Sequence, residues 1–392
     1  MKLAIVTTHP IQYNAPWFKL LAAEPNISVK VFYTWEQSNT NQKFDPGFGK
    51  VVSWDIPLLE GYDYTFVRNT SEAPGSHHFK GIVNPTLNKE IEGWGADAVL
   101  VFGWPFKSHL ACMKYFKGKI PVLFRGDSTL LDEKRGAKQF LRRLFLRYVY
   151  SFIDYALYVG TNNKKYFLAH GLKENQLVFV PHAVDNSRFI DKKEEYISEA
   201  VTWKKELGIG TNDIVILFAG KFNHKKNPFF LLDLAQMLPG ASFKFVLVGN
   251  GELEQDLKAA ATDERIIFLD FQNQSKMPVV YQLADVFILP SVGPGETWGL
   301  AINEALASDK YVVATTKTGG AVDLIKDNVN GLVIEPQDIT AAAEYITHIA
   351  GRKYEAGNIA ENKRILEQYS FNNIVQQVKQ QLLSLQHKQK RF

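Results

Sequence analysis

Short apolar runs rich in Val, Ile, Leu and Phe alternate with helix-length amphipathic stretches along nearly the whole chain, and the alternation starts twice. The first series falls at residues 3–7, 29–33, 98–102, 121–124, 155–159 and 178–180, and the second at 214–219, 244–248, 266–269, 286–289 and 311–314. Runs this continuous do not suit strands with one wet face. They fit parallel strands buried on both sides, each followed by a covering helix. The break lies near residue 190, after Pro181-His182-Ala183-Val184-Asp185 and before a charged stretch, 191–205. A length of 392 residues suits two such sheets at about 150 residues per domain. Residues 372–385 then place Ile374, Val375, Val378, Leu382, Leu383 and Leu385 close to helical spacing, which predicts a closing helix.

Composition removes several classes. Lys and Arg total 45 against 41 Asp and Glu, a net charge of +4, so neither a disordered polyelectrolyte nor a polybasic nucleic-acid binder is expected. The single cysteine, Cys112, excludes an intrachain disulfide and a thiolate-rich metal cluster, and fits a reducing, cytosolic setting. The apolar run at residues 3–7 is too short for a signal-peptide core, and no run of about 18 apolar residues occurs, so no membrane span is expected. Between residues 44 and 85 the alternation lapses into aromatic, Gly- and Pro-rich sequence. This reads as an irregular insertion over the rim of the first sheet, either a binding loop or plain decoration.

Ligands of open parallel sheets bind beyond the carboxyl ends of the strands. In the first half those ends are 9–14, with His9, Gln12 and Tyr13; 103–106; and 125–128, with Arg125 and Asp127. In the second half three segments carry chemistry. After the strand ending at Leu289 comes Pro290-Ser291-Val292-Gly293-Pro294-Gly295-Glu296-Thr297-Trp298-Gly299-Leu300, where a helix is expected to begin near Trp298 or Gly299. The unpaired amides of its first turn form an anion site. Glu304 falls farther along that helix among apolar neighbours, where a carboxylate must be hydrogen-bonded or paired. A sugar diol satisfies that need, and so does a neighbouring strand or Lys.

The second segment, Gly220-Lys221-Phe222-Asn223-His224-Lys225-Lys226-Asn227-Pro228, lets Lys221 and Lys226 converge across a turn on one diphosphate. At 4 Å and an effective dielectric of 20, each contributes about 4 kcal/mol of raw attraction before desolvation. A solvated basic loop is the other reading. The third segment, Val248-Gly249-Asn250-Gly251-Glu252, begins like a dinucleotide fingerprint but lacks its third glycine, so a nucleotide neighbour and a tight turn both remain open.

Together the three segments resemble the retaining glycosyltransferases of family 4 (glycosyl transferases group 1), whose GT-B architecture sets two Rossmann-like α/β/α domains with parallel sheets facing across a cleft. Glu296 and Glu304 match that family's Glu-x-x-Gly-Leu-x-x-x-Glu, Lys221 and Lys226 its paired basic residues, and Gly249 and Gly251 its Gly-x-Gly turn. The likeness is strong over residues 178–335 and mainly architectural before that. It implies an acceptor-binding domain at 1–188, a nucleotide-sugar-binding domain at 189–370, and a helix at 371–392 packing back on the first domain.

The resemblance further implies transfer of a sugar from a nucleoside diphosphate sugar, with UDP favoured, to a glycan or lipid-linked acceptor. Lys221, Lys226 and Glu296 would carry the chemistry, with Glu296 on donor-sugar hydroxyls. Glu304 would hold the ribose, while Gly249, Asn250, Gly251, Thr297, Trp298, Gly299 and Leu300 would line the donor. His9, Gln12, Tyr13, Arg125 and Asp127 would face the acceptor or sugar. No cofactor is expected, and the absence of any Asp-x-Asp fits transfer without a metal.

The chain departs from the family in three places. Lys221 stands where Arg is usual, which replaces a bidentate fork by a point charge. The first strand is followed by His9-Pro10-Ile11-Gln12-Tyr13-Asn14 and not by a glycine-rich loop. Arg125-Gly126-Asp127-Ser128 occupies the place of a donor-side histidine, leaving open which residue takes that role and whether Arg125 and Asp127 simply pair. A nucleotide-sugar epimerase of the same fold and a non-catalytic nucleotide-sugar-binding partner subunit are the alternatives.

Residues 134–151 combine Lys138, Arg142, Arg143 and Arg147 with Phe140, Leu141, Leu144, Phe145, Leu146, Tyr148 and Val149. Such a basic amphipathic helix either lies on an anionic bilayer, giving a peripheral contact at the inner face of the membrane, or covers the sheet with its arginines in water. The basic end, 387–391, adds little to that choice.

Overall fold

The computed structural model describes residues 1–35, 42–45, 50–53, 55–134, 136–350 and 356–389; Arg135, part of the 44–85 segment, and Lys390 and Arg391 of the basic end lie outside them. The chain divides into two compact units. The first comprises Met1–Lys43, Pro57–His182 and Phe371–Phe392, and the second Phe44–Ile56 and Ala183–Ser370.

Among the described residues the strands, in chain order, are β1 Lys2–Thr7, β2 Ser28–Tyr33, β3 Gln42–Asp45, β4 Lys50–Ser53, β5 Asp63–Phe66, β6 Ala98–Phe102, β7 Val122–Arg125, β8 Tyr155–Tyr158, β9 Leu177–Phe179, β10 Ile214–Ala219, β11 Phe243–Val248, β12 Ile266–Leu269, β13 Val286–Leu289, β14 Tyr311–Thr315 and β15 Gly331–Ile334. The first unit holds a sheet ordered β5-β2-β1-β6-β7-β8-β9, and the second a sheet ordered β12-β11-β10-β13-β14-β15. Pairing within both is parallel, as with Ile5 against Val31 and Leu100, and Leu217 against Val246 and Phe287. Helices covering the faces leave the central strands dry: every residue of β13 is buried, and so are the last five of β1 and of β10. Two parallel-sheet, Rossmann-like α/β units result, and burial on both faces is why their strands are apolar without alternation.

The segment at 44–85 is more regular than its composition suggests. Residues 63–66 form β5, an edge strand beside β2, and 42–45 with 50–53 form a separate two-stranded sheet. Asp63-Tyr64-Thr65-Phe66 lacks a continuous apolar run because an edge strand has a wet side. Its hold comes from rings: Phe66 stacks on Tyr33 at 5.3 Å, and Tyr62 shares a 2.7 Å hydroxyl contact with Tyr33. Buried Asn84 then donates to the carbonyls of Val67 at 2.8 Å and Thr34 at 3.0 Å, fixing the chain beyond the strand.

The helix Ala356–Gln368 packs on Leu300–Ala307 in the second unit, after which Phe371–Gln389 lies on Ala15–Ala22 and β9 in the first. Lys379 pairs there with Glu24 at 2.7 Å. No helix among the described residues is long and apolar enough to cross a membrane.

Candidate active site

In the second sheet the chain runs from β10 outward through β11 and β12, then returns to the other side of β10 as β13. The connections after β10 and β13 therefore leave in opposite directions, opening a crevice at the carboxyl ends. The backbone N–H of Val292 donates to the carbonyl of Lys225 at 2.9 Å, tying the two loops together.

Into this crevice go the charges singled out from the sequence. Glu296 is buried, with Lys226 Nζ at 2.8 Å and Lys225 Nζ at 3.6 Å from its Oε2. Burial pulls the Lys226 ammonium below its usual pKa; Glu296 pushes it back up, while Lys225 and Lys221 press it down again. Lys221 is thus close enough for Lys226 to feel, as expected, and Lys225 joins them. Three ammonium groups against one carboxylate leave these four residues with excess positive charge in a desolvated place, an environment that favours an anion. The sequence reading put Glu296 on a sugar. The structure shows its carboxylate paired with Lys226, so an entering phosphate competes with Glu296 for that ammonium.

The wall beside this cluster is the helix Leu300–Ala307, which starts one residue later than expected, with Gly299 as its cap at φ 93°. The Ile302 N–H donates to the Gly299 carbonyl at 2.9 Å, and the helix start adds partial positive charge. Leu300 is half-buried, while Trp298 is buried, its ring tilted over Tyr369 and its Nε1 donating to Asn303 at 2.9 Å. The indole is therefore committed to packing.

Thr297 is held by a loop that the sequence reading passed over, Thr318-Gly319-Gly320 after β14. Gly319 N–H donates to the Glu296 carbonyl at 2.9 Å, and a Cβ on Gly319 would stand 1.8 Å from the Thr297 carbonyl oxygen. Two adjacent glycines a few residues beyond a predicted strand were the available signal.

Gly249, Asn250 and Gly251 settle as a tight turn against the lysine loop. A Cβ on Gly249 would lie 2.0 Å from the carbonyl oxygen of Gly220, and Phe222 N–H donates to the Asn250 carbonyl at 2.9 Å. The Asn250 side chain braces the turn, donating to Glu254 at 2.9 Å and Asp270 at 3.0 Å.

Glu304, one turn into the helix, is buried. Its Oε2 accepts from the Tyr281 hydroxyl at 2.9 Å, and its Oε1 lies 3.6 Å from Arg188 Nη2 with no hydrogen bond of its own. Burial raises its carboxyl pKa, opposed by Arg188 and then by the Tyr281 hydroxyl. Arg188 is itself positioned by Gln274 at 2.7 Å. Neither Arg188 nor Tyr281 stands out in the sequence, because each comes from a different element. The unmatched Oε1 acceptor leaves room for a ligand hydroxyl.

In the first sheet the switch point falls between β1 and β6. His9 shares a 2.9 Å contact between its Nδ1 and Thr8 Oγ1, and its ring meets Trp35 edge-on. Gln12 and Tyr13 are half-buried at the same end. Arg125 is buried, with Nη1 on the Val180 carbonyl at 2.7 Å and Nη2 on that of Pro181 at 2.8 Å. These two bonds make it a strut for the chain leaving β9, and burial lowers its pKa to about 10. Asp127 is half-exposed and faces His182, Oδ2 to Nε2, at 3.8 Å. Deeper in the unit, fully buried His109 joins Thr34 Oγ1 at 2.9 Å to the carbonyls of Phe102 and Gly103, and burial lowers its pKa to about 4.

Among the described residues no group of three or more His, Cys, Asp or Glu side chains is arranged to hold a metal ion.

Residues 200–365, which carry the lysine loop, Glu296 and Glu304, match the profile described as glycosyl transferases group 1. That match takes in 166 of the chain's 392 residues, the second sheet and most of its helices. The chain is similar to a UDP-Gal:alpha-D-GlcNAc-diphosphoundecaprenol alpha-1,3-galactosyltransferase of Escherichia coli, at 29% identity over 185 residues, 44% of this chain and 45% of that protein. It is also similar to a Campylobacter jejuni GalNAc-alpha-(1->4)-GalNAc-alpha-(1->3)-diNAcBac-PP-undecaprenol alpha-1,4-N-acetyl-D-galactosaminyltransferase, at 29% over 243 residues, 60% and 61% of the two chains. The chain spans about half the length of the curated relatives it matches. Its fold is shared with a glycosyltransferase from Rickettsia africae, TM-score 0.74 at 17% identity, covering 98% of each chain. Anabaena HepE in complex with UDP gives 0.72 at 18%, covering 98% of this chain and 100% of that one. The group 1 match therefore sits in a GT-B chain.

Proposed function

We propose that the chain is a retaining glycosyltransferase of family 4 that moves a sugar from a nucleoside diphosphate sugar, UDP-linked in the favoured case, to a glycan or lipid-linked acceptor, without a metal, at the inner face of the membrane. The carrying observation is the pairing of buried Glu296 with Lys226 at 2.8 Å, with Lys225 and Lys221 beside it, at the switch point of the second sheet and next to a helix start. Relatives named for diphosphoundecaprenol-linked substrates and a neighbour holding UDP support the choice of acceptor and donor.

In this reading the bond between the sugar's anomeric carbon and the diphosphate oxygen breaks, and its electron pair stays on the phosphate. The acceptor hydroxyl bonds to that carbon on the same face and gives its proton to the departing phosphate oxygen. Lys221, Lys226 and the amides at Thr297 to Leu300 meet charge that grows along this path, so they bind the transition state better than the bound donor. Glu304 Oε1 takes the ribose hydroxyls. Glu296, released from Lys226 as phosphate enters, turns to the sugar's hydroxyls. His9, Gln12, Tyr13 and Asp127 line the acceptor side.

The test is a panel of UDP- and GDP-sugars offered to the purified chain with and without sugar-diphosphate-polyprenol acceptors, reading released nucleotide and product. Acceptor-dependent release that persists in EDTA is expected, with the anomeric configuration of the donor kept. Donor consumed without any acceptor would instead identify an epimerase. Loss of activity in EDTA with rescue by manganese would reject transfer without a metal.

A further inference from the structure

The helix Ala137–Tyr150 is apolar on two opposite sides. Leu146, Val149 and Tyr150 are buried against the first sheet. Phe140 at 63% exposure, Leu141 at 64%, Leu144 at 46%, Phe145 at 46% and Tyr148 at 53% stand in water. Offsets of one, four, five and eight residues from Phe140 put all five on one stripe of a helix. The helix does cover the sheet with Arg142 and Arg147 in water, yet that uses one apolar face and leaves the other over. A stripe of five large side chains goes beyond the scattered exposed residues that any monomer shows.

Charge tells what covers it. The sequence Ala-Lys-Gln-Phe-Leu-Arg-Arg-Leu-Phe-Leu-Arg-Tyr-Val-Tyr has four cations and no Asp or Glu. Lys138, Arg142 and Arg147 are exposed, and Lys114 Nζ sits 5.0 Å over the Tyr148 ring. A second protein's apolar patch would gain nothing from exposed Lys138, Arg142 and Arg147, whereas an anionic bilayer offers acyl chains to the stripe and phosphates to its margins. The helix is also rigidly held. Glu133 accepts from Gln139 at 2.7 Å and pairs with Arg143 at 3.3 Å, fixing the first turns without spending the exposed stripe. Phe145 meets Trp104 edge-on at 5.5 Å, and Trp104 belongs to the loop at the carboxyl end of β6, beside the first sheet's switch point.

We propose that the stripe of Phe140, Leu141, Leu144, Phe145 and Tyr148 inserts into the interface of an anionic bilayer. This brings the carboxyl ends of β1 and β6 next to lipid-borne substrate. The inference deepens the lipid-linked reading of the acceptor and rests on it only for its purpose, since docking itself is measured without any substrate.

The experiment is flotation of the full chain with vesicles of neutral phosphatidylcholine, or of phosphatidylcholine with one-third phosphatidylglycerol. Binding to the anionic vesicles alone at physiological salt is expected. The double change Phe140→Gln and Leu141→Gln should lower binding at least tenfold with an unchanged melting temperature. Lys138→Gln with Arg142→Gln should lower it severalfold and remove most of its salt dependence. The apolar pair should leave nucleotide release with a short-chain, water-soluble acceptor unchanged. Equal flotation of the native chain and the Phe140/Leu141 variant would overturn the proposal. So would a concentration-dependent dimer of the native chain, in the absence of lipid, that the variant lacks. Vesicle binding without sugar transfer to any acceptor would sink the proposed reaction and leave the docking surface standing.

Discussion

At the carboxyl ends of β10, β11, β13 and β14 the loops touch through backbone: the Gly249 Cα faces the Gly220 carbonyl, and Gly319 faces that of Thr297. At the carboxyl ends of β1, β6 and β7 the space is filled by His9, Trp104 and Arg125, each leaning on another side chain or carbonyl. The second arrangement tolerates exchange of side chains, the first does not. A surface built from amides and close-set carbonyls is suited to a ligand part that never varies, such as a diphosphate. A surface built from side chains is suited to the part that does, such as an acceptor. The same contrast appears in charge: the second unit sets Lys226 against buried Glu296, while the first keeps His109 buried and neutral.

The contrast breaks first at Lys226. Lys226→Ala should lower turnover about 10²–10³-fold, the cost of removing one preorganised donor from a developing oxyanion. Rates near normal in a folded variant, read by nucleotide release, would mean that the second crevice is structural. His109 gives the next effect. Its folded pKa of about 4 lies below its ordinary 6.5, so the unfolded chain binds the extra proton first. Its contribution is therefore complete above pH 6.5 and is lost as pH falls toward 4, up to about 3 kcal/mol. Hydrogen-exchange free energies of β1 should show that slope, and His109→Gln should flatten it. A slope that survives the substitution would assign the acid sensitivity elsewhere.

Gly249→Ala comes third. With no space for the Cβ and φ at 144°, overpacking should cost about 1–3 kcal/mol. Gly103→Ala, at the carboxyl end of β6, has nothing nearer than Pro105 Cδ at 3.5 Å and bears only the strain of its φ. Equal melting temperatures for the two would blur the distinction between the crevices. Smallest is the pH effect at Glu304. Its carboxyl is raised above 4.5 by burial, so its contribution is present below that pH and declines as pH climbs through the folded value, opposite in sign to His109. The difference between native chain and Glu304→Gln, followed by urea unfolding across that interval, isolates it. Calorimetry on the same variant should show UDP affinity reduced about tenfold, the worth of one hydrogen bond to a charged group.

The sheets were largely legible in the sequence because central parallel strands are dry on both faces and read as unbroken apolar runs. What escaped was at the edges: Asp63–Phe66 is held by rings and not by continuity, and Gly331–Ile334 opens on the glycine of a turn-like Asp-Asn-Val-Asn-Gly stretch. At the site, Lys221, Lys226, Glu296 and Glu304 were visible because they lie close in sequence to strand ends. Arg188, Tyr281 and Thr318 were not, since each reaches the crevice from an element whose placement only the fold determines. The helix at 137–150 shows the limit from the other side. Its periodicity was plain, but a helix with two apolar faces does not say which one the sheet takes.

The helix Phe371–Gln389 completes a unit whose other pieces precede Ala183, and Lys379 finds Glu24 across 355 positions. During synthesis the amino-terminal half must therefore wait, lacking one wall, while Ala183–Ser370 is translated, on the order of 10–40 s at 5–20 residues per second. In that interval the uncovered side of Ala15–Ala22 is bare to the ribosome's surroundings, which makes it the surface a chaperone would guard.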